Sequence, residues 1–337
     1  MKASQIMDAV ELLAKARLPV HLDGPPGVGK TSVINQVAKK MKHEVFITRL
    51  ADHESSDFQV PYVDVAKGVL RYITSEEFPK QGCKPTFWFF DEWRQGHPQV
   101  QNVAGRLLNE RRLGKYQVPD NVYICAASNR AKDRAATNRM PSHIADRFNH
   151  LTMEADIHDW TSWAINAGIE TEVIAFLRWK SELLSAFDPN ADVSPTCRSW
   201  QKVSETLAEL KKARAKNKDA FPHAVEERIH AGHIGNGAAA ELMGFLPIFR
   251  TLPDPAAMLM NPDQCALPTE PATLCALAGA LAKRATPNNI DRVVRIGNRL
   301  QDEFSVLMIT QALAYDASLS STKAFISWAN AHQEAMS

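Results

Sequence analysis

With 337 residues and 45% hydrophobic side chains, the chain is long enough for two domains with real cores, which excludes a disordered or low-complexity protein. Its 39 lysines and arginines against 38 aspartates and glutamates leave a formal charge of +1, so no global field draws it to a polyanion or an anionic membrane. Five cysteines, widely spaced and without a C-x-x-C pair, argue against a disulfide framework and a zinc ribbon and point to a reducing compartment.

Residues 1–17 set Ile6, Val10 and Leu13 against Lys2, Asp8 and Glu11, the pattern of an amphipathic helix without the apolar core of a signal peptide. No apolar run approaches the ~20 residues that span a bilayer, so a cytoplasmic protein with no membrane partner is expected. The run 18–22 (Leu18, Pro19, Val20, His21, Leu22) reads as a strand, and residues 31–42 carry Val33, Ile34, Val37, Ala38 and Met41 at helical spacing. Between them Gly24, Pro25, Pro26, Gly27, Val28, Gly29, Lys30 and Thr31 fit the phosphate-loop pattern G-x-x-x-x-G-K-[ST] in its proper context of strand, loop and helix. Glycines there let successive amides turn inward around phosphate oxygens, and the helix dipole adds attraction. These residues and the adjoining Ser32 are expected to hold a nucleoside triphosphate, with Lys30 on the β- and γ-phosphates and Thr31 on Mg²⁺.

Residues 44–50 give a second strand. Residues 58–65 and 69–73, joined through Lys67-Gly68, read as a hairpin inserted into the domain. Thr86-Phe87-Trp88-Phe89-Phe90 is apolar at consecutive positions, as in the centre of a parallel sheet, and ends in Asp91 and Glu92. At that strand end Asp91 would serve the Mg²⁺ shell and Glu92 would deprotonate the attacking water. A helix over 98–110 follows, then a turn at Arg111 to Lys115. A buried strand over 121–129 ends in Asn129, placed to bond a γ-phosphate or the lytic water, and a short helix is expected over 141–148.

Taken together these pieces resemble the AAA+ ATPases, and within them the MoxR-like branch. The resemblance runs over residues 15–200 through Gly24 to Thr31, Asp91-Glu92, the helix from Pro98 to Arg112, Ala127-Ser128-Asn129 and Asp146-Arg147-Phe148. It implies that Asn129 is sensor 1 and that Arg147 is an arginine finger reaching a neighbouring subunit's γ-phosphate. Arg139, Arg134, Arg111 and Arg112 are further candidates for that interface. The hairpin near Lys67-Gly68 corresponds to an insert facing the pore of a ring, and residues 112–117 to a second pore-side hairpin. Where members often carry Asp-Glu-Ile/Leu-Asn-Arg, this chain has Asp91-Glu92-Trp93-Arg94-Gln95.

After Leu151 the strand-like runs cease. Helices are expected over 159–167, 170–187 and 194–210, the last with Ser194 as N-cap and Pro195 at its first position. Arg198 in its early turns corresponds, by the resemblance, to the sensor 2 arginine. The basic run 211–218 reads as a solvated helix end, and His223, His230 and His233 with Glu226 and Glu227 lack a metal-ligand spacing. Helices follow over 238–249, 255–260, 270–283, 287–300, 303–315 and 322–331, with Thr269 and Thr286 as caps.

The expected fold is α/β: a P-loop parallel-sheet core (an αβα sandwich) over 1–152, an all-α lid over 153–235 and a helical extension over 236–337. The expected function is that of an ATP-hydrolysing, hexameric ring that remodels or activates a partner, as MoxR-like proteins do with von Willebrand factor A domain proteins. A nucleic-acid motor or loader using Lys67, Arg71, Arg112 and Lys115, and a nucleotide-gated scaffold, are the alternatives.

Overall fold

A computed structural model describes residues 1–130, 133 and 138–332 of the chain. They form two compact units, one drawn from residues 1–155 with 188–190 and one from residues 156–187 with 191–332.

The first unit contains helix α1 (Ala3–Ala16), strand β1 (Val20–Gly24), α2 (Lys30–Lys40), β2 (Glu44–Arg49) and α3 (Ser55–Phe58). The hairpin β3 (Gln59–Asp64) and β4 (Val69–Thr74) follows, then β5 (Thr86–Asp91) and α4 (Pro98–Asn109). A second, small hairpin β6 (Arg112–Leu113) and β7 (Tyr116–Gln117), β8 (Val122–Asn129), α5 (Ser142–Ala145) and β9 (Asn149–Thr152) complete it. Five strands make a parallel sheet in the order β2-β5-β8-β1-β9. Alternation along β5 explains why the run had to be apolar throughout. Phe87 and Phe89 enter the core that holds α1 and α2, whereas Trp88 and Phe90 enter the opposite core with Val100, Ala104 and Leu107 of α4 and Ile144 of α5. Helices thus cover both faces, the αβα sandwich expected.

The sequence reading missed β9. Asn149, His150 and Thr152 are exposed, so this edge strand has no apolar alternation, and its pairing with β1 (Leu22 opposite Leu151) defines it. Both inserted hairpins are present. The larger leaves Val63, Val65, Leu70 and Ile73 exposed, and the smaller turns at Gly114 in the left-handed region, φ 59°.

The second unit is helical: α6 (Ile157–Asn166), α7 (Thr171–Trp179), α8 (Cys197–Lys216), α9 (His223–Ile234), α10 (Asn236–Arg250), α11 (Pro255–Met260), α12 (Pro271–Arg284), α13 (Ile290–Gly297), α14 (Asp302–Tyr315) and α15 (Lys323–Ala331). The helix expected over 170–187 ends at Trp179 and gives way to a 3₁₀ turn, Ser181–Ser185, whose Leu183 carbonyl accepts from the Trp200 indole at 2.8 Å. The cap of α8 is Thr196, not Ser194: its hydroxyl accepts from the Ser199 amide at 3.1 Å, and Pro195 lies outside the helix. Neither Thr269 nor Thr286 caps a helix, because α12 starts after Glu270 and α13 after Asn289. The basic run is less solvated than expected, since Lys211 pairs with Glu170 and Glu172 and Arg214 with Glu226. Phe176, Trp179, Trp200 and Phe245 form an aromatic cluster tying α7, α8 and α10, with Trp179 stacked on Phe245 at 5.7 Å. Among the described residues, no helix is long and apolar enough to cross a membrane.

Candidate active site

The C-terminal ends of parallel strands are where such sheets bind ligands, and here they collect the polar residues of the sequence motifs. The pairing of β1 with β8 sets Gly24 beside Asn129 and Asp23 beside Ser128, and the pairing of β2 with β5 sets Arg49 beside Asp91. Gly24 has to be glycine: a Cβ would lie 2.8 Å from the Met153 carbonyl oxygen, where the chain leaving β9 crosses the loop. Gly27 (φ 70°) and Gly29 (φ 105°) occupy the left-handed region that turns the loop, and α2 begins at Lys30 with its first amides directed back toward it.

Within that loop Lys30 is 8% exposed and its ammonium donates to the carbonyls of Gly24 (2.9 Å) and Pro25 (3.0 Å) and to Asn129 Oδ1 (2.9 Å). That last bond fixes the Asn129 amide and leaves its NH₂ as the end able to donate to a phosphate or a water. One residue further on, Thr31 Oγ1 donates to Asp91 Oδ2 at 3.1 Å. A hydroxyl and a carboxylate brought together give an oxygen-only donor set, which suits Mg²⁺ completed by phosphate and water oxygens.

Glu92 directly follows the strand and adopts φ 54°, ψ 39°. A non-glycine residue held in this region is strained, and such strain collects at functional sites. The other oxygen of Asp91 accepts from the Glu92 amide at 2.9 Å, so Asp91 fastens both Thr31 and the turn that carries Glu92. Pro25, Pro26 and Val28 shape the loop, and Ser32 lies in the first turn of α2. Arg147 is half-buried and donates to the Gly105 carbonyl of α4 at 2.5 Å. Arg139 is exposed, and Arg112, also exposed, donates to the Gly114 carbonyl. Arg111 turns inward instead, giving its guanidinium to the carbonyls of Pro119 and Val122, so it is not available to a neighbouring subunit. Arg134 lies outside the described residues. Arg198 is exposed in the first turn of α8, in the second unit.

A further group at the strand ends escaped the sequence reading. Arg94 pairs with Asp23 at 3.1 Å, its amide donates to Ser128 Oγ at 3.1 Å, and the same hydroxyl shares a hydrogen bond with the ring of His21 at 2.8 Å. Burial holds the His21 ring well below the ordinary histidine range, with Arg94 adding to the effect, and so keeps it neutral. Burial raises the Asp23 carboxyl, and the Arg94 guanidinium pulls it only part of the way back. The available signal was the presence of His21 and Asp23 inside an apolar strand.

A parallel sheet with helices on both faces, a glycine loop leading into a helix, and a lysine and a threonine aimed at the neighbouring strand ends define a P-loop nucleotide-binding domain. More particularly, residues 19–148 match the family described as AAA domain, dynein-related subfamily. Over those residues the match agrees with the AAA+ resemblance that the motifs carry, and the MoxR-like branch is consistent with it. Among solved structures, the chain is similar to NtrX from Brucella abortus in complex with ADP, at 14% identity over 99% of this chain and 68% of that one, TM-score 0.43. A second structure of NtrX from the same organism gives 16% identity over 73% of this chain and 60% of that one, TM-score 0.41. A protein from Cytophaga hutchinsonii, provisionally described as an ATPase, gives 14% identity over 93% of this chain and 80% of that one, TM-score 0.36. No curated protein matches the chain.

Proposed function

We propose that the protein hydrolyses ATP at the Lys30–Asn129 and Thr31–Asp91 cluster and uses the cycle to remodel or activate a partner, most simply a protein, within a homo-oligomeric ring. The observation that carries this reading is the joining of the glycine loop to two neighbouring strand ends by those two side-chain contacts. In it, the loop amides and Lys30 hold the phosphates, and Asn129 orients the attacking water or the γ-phosphate. Glu92 accepts the water's proton. Thr31 and Asp91 are the residues that would hold a magnesium ion, which would supply neutralisation of the charge that develops on the phosphates. Arg147, fixed at the corner of α4 and α5, is the proposed finger toward a neighbouring copy, and Arg198 the proposed arginine of the helical lid. A hexamer, a von Willebrand factor A domain partner and a cytoplasmic setting belong to the same reading, as does the division of the second unit into a lid and an extension at residue 235.

Glu92→Gln tests it. With the base removed, ATP is expected to bind as in the wild type while turnover falls about 10²- to 10⁴-fold, and ATP-loaded rings should accumulate in light-scattering measurements. Normal turnover by this variant would remove Glu92 from the mechanism, and wild-type protein that bound no ATP would remove the mechanism itself.

A further inference from the structure

The turn after β5 is fixed by Arg94 through three different groups. Its amide donates to Ser128 Oγ at the end of β8, its carbonyl accepts from the Asn138 amide at 2.6 Å, and its guanidinium reaches Asp23 at the end of β1. Asp23 immediately precedes Gly24, Ser128 immediately precedes Asn129, and Arg94 follows Glu92 by two residues. The carbonyl of Glu92 accepts from the amides of Gln95 (3.0 Å) and Gly96 (3.3 Å), which makes residues 92–96 one tight turn. Whatever holds Arg94 therefore holds the left-handed backbone of Glu92.

The Asp23–Arg94 contact is also incomplete. One oxygen of Asp23 (Oδ1) and Nε of Arg94 are buried without a hydrogen-bond partner, so the pair is a single contact rather than the two-bond fork these groups can form. A purely structural ion pair gains most from full pairing, and a half-made one between the phosphate loop and the base-bearing turn is placed to transmit position.

We propose that Arg94 is a positioning residue for Glu92. By pairing with Asp23 and Ser128 it sets the carboxylate against the phosphate loop and the sensor strand, and so governs the rate of the water attack rather than the grip on nucleotide. This rests on the ATPase reading above.

The test compares Arg94→Gln, Arg94→Lys and Asp23→Asn, and Arg94→Gln in a Glu92→Gln background, measuring ATP turnover at saturating Mg-ATP and affinity for fluorescent ADP. A misplaced base is expected to lower turnover roughly 10- to 100-fold in Arg94→Gln and Asp23→Asn. ADP affinity should stay within about threefold of wild type, since the interaction acts only in the transition state. Arg94→Lys should recover most of the rate. In the Glu92→Gln background, Arg94→Gln should cause no further loss, because a residue acting through another is not additive with it. Turnover near wild type in both Arg94→Gln and Asp23→Asn, ADP affinity falling in step with turnover, or losses that multiply in the Glu92→Gln background would each overturn the proposal. Should Arg94→Gln fail to fold, Asp23→Asn decides by the same criteria. A wild-type protein that does not hydrolyse ATP overturns the ATPase reading instead, and is told apart by being seen before any variant is made.

Discussion

Two carboxylates, Glu226 buried in the helical unit and Asp23 half-buried at the sheet end, have been treated oppositely by their surroundings. Glu226 in α9 accepts from Arg214 of α8 at 2.6 Å and from Arg250 of α10 at 2.9 Å, with His230 a turn further along at 3.9 Å. Burial alone would favour its protonated form, yet His230 and the two guanidinium groups more than offset that and hold the carboxyl well below the ordinary range. Asp23, at the sheet end, has one arginine and one oxygen left unpaired, and burial wins. Glu226 is a lock among three helices, completely paired and remote in sequence from the residues of the phosphate-loop cluster. Asp23 is held short of full pairing beside a phosphate loop. The difference separates a charge retained for stability from one retained for its position.

The largest effects should come where the sheet end is disturbed. Glu92→Gly removes the proposed base and also relieves a side chain held at φ 54°. Turnover is expected to fall about 10²- to 10⁴-fold. Stability should stay level or rise by up to about 1 kcal/mol, because the left-handed penalty removed is partly offset by the entropy cost of glycine. A urea titration that showed substantial destabilisation would mean that Glu92 is a structural residue after all, and would erase the contrast with Glu226.

Glu226→Gln should do the reverse. It leaves two arginines facing a neutral amide and is expected to cost about 3–5 kcal/mol, the usual penalty for breaking a buried pair from one side, with ADP affinity unchanged. The wild-type pH dependence follows from the same pairing. Because the folded carboxyl titrates below its unfolded value of 4.5, its contribution is fully present above that pH and is lost as the pH falls toward the lowered folded value. Unfolding free energies measured between neutrality and acid should therefore fall less steeply in Glu226→Gln than in wild type. Parallel curves would show that other carboxylates dominate acid unfolding.

How much of this contrast was written legibly along the chain depends on the range of the interactions. The glycine loop, Lys30, Thr31, Asp91, Glu92 and Asn129 were readable because each sits at the junction of an apolar run and a turn, a local signal. Strands β1, β2, β5 and β8 and the larger inserted hairpin were readable from apolar runs and turn residues for the same reason, whereas the smaller hairpin over 112–117 was implied only by the family resemblance. Strand β9 was not, since its four residues show no alternation and only β1 beside it makes it a strand. Two competing hydroxyl residues, Ser194 and Thr196, defeated the assignment of the α8 cap, because either can begin a helix and the local capping box with Ser199 forms at Thr196. The Asp23–Arg94 and Glu226–Arg214–Arg250 contacts join residues brought together only by folding, so sequence spacing carries no trace of them. What sequence did offer was anomaly: a carboxylate inside an apolar strand at Asp23, and an arginine in the turn where the related motif has a different order.

The smallest expected effect is also the most discriminating, because it concerns sign rather than size. The folded Asp23 carboxyl is raised above its unfolded value of 3.8, so the folded state binds a proton more readily than the unfolded one. Through the window from 3.8 up to that raised value, rising pH must then erode stability at this site, the opposite of the slope at Glu226. Asp23→Asn mimics the protonated form permanently. At neutral pH it should leave the unfolding free energy unchanged or slightly higher, and the wild-type advantage should appear nowhere in the acid range. Denaturation curves of the two proteins at several pH values between 3 and 7 measure this directly. If Asp23→Asn proved less stable than wild type at neutral pH, the Arg94 pairing would outweigh burial after all, Asp23 would join Glu226 as a structural lock, and the slow turnover expected of its variants would have to be read as loss of fold.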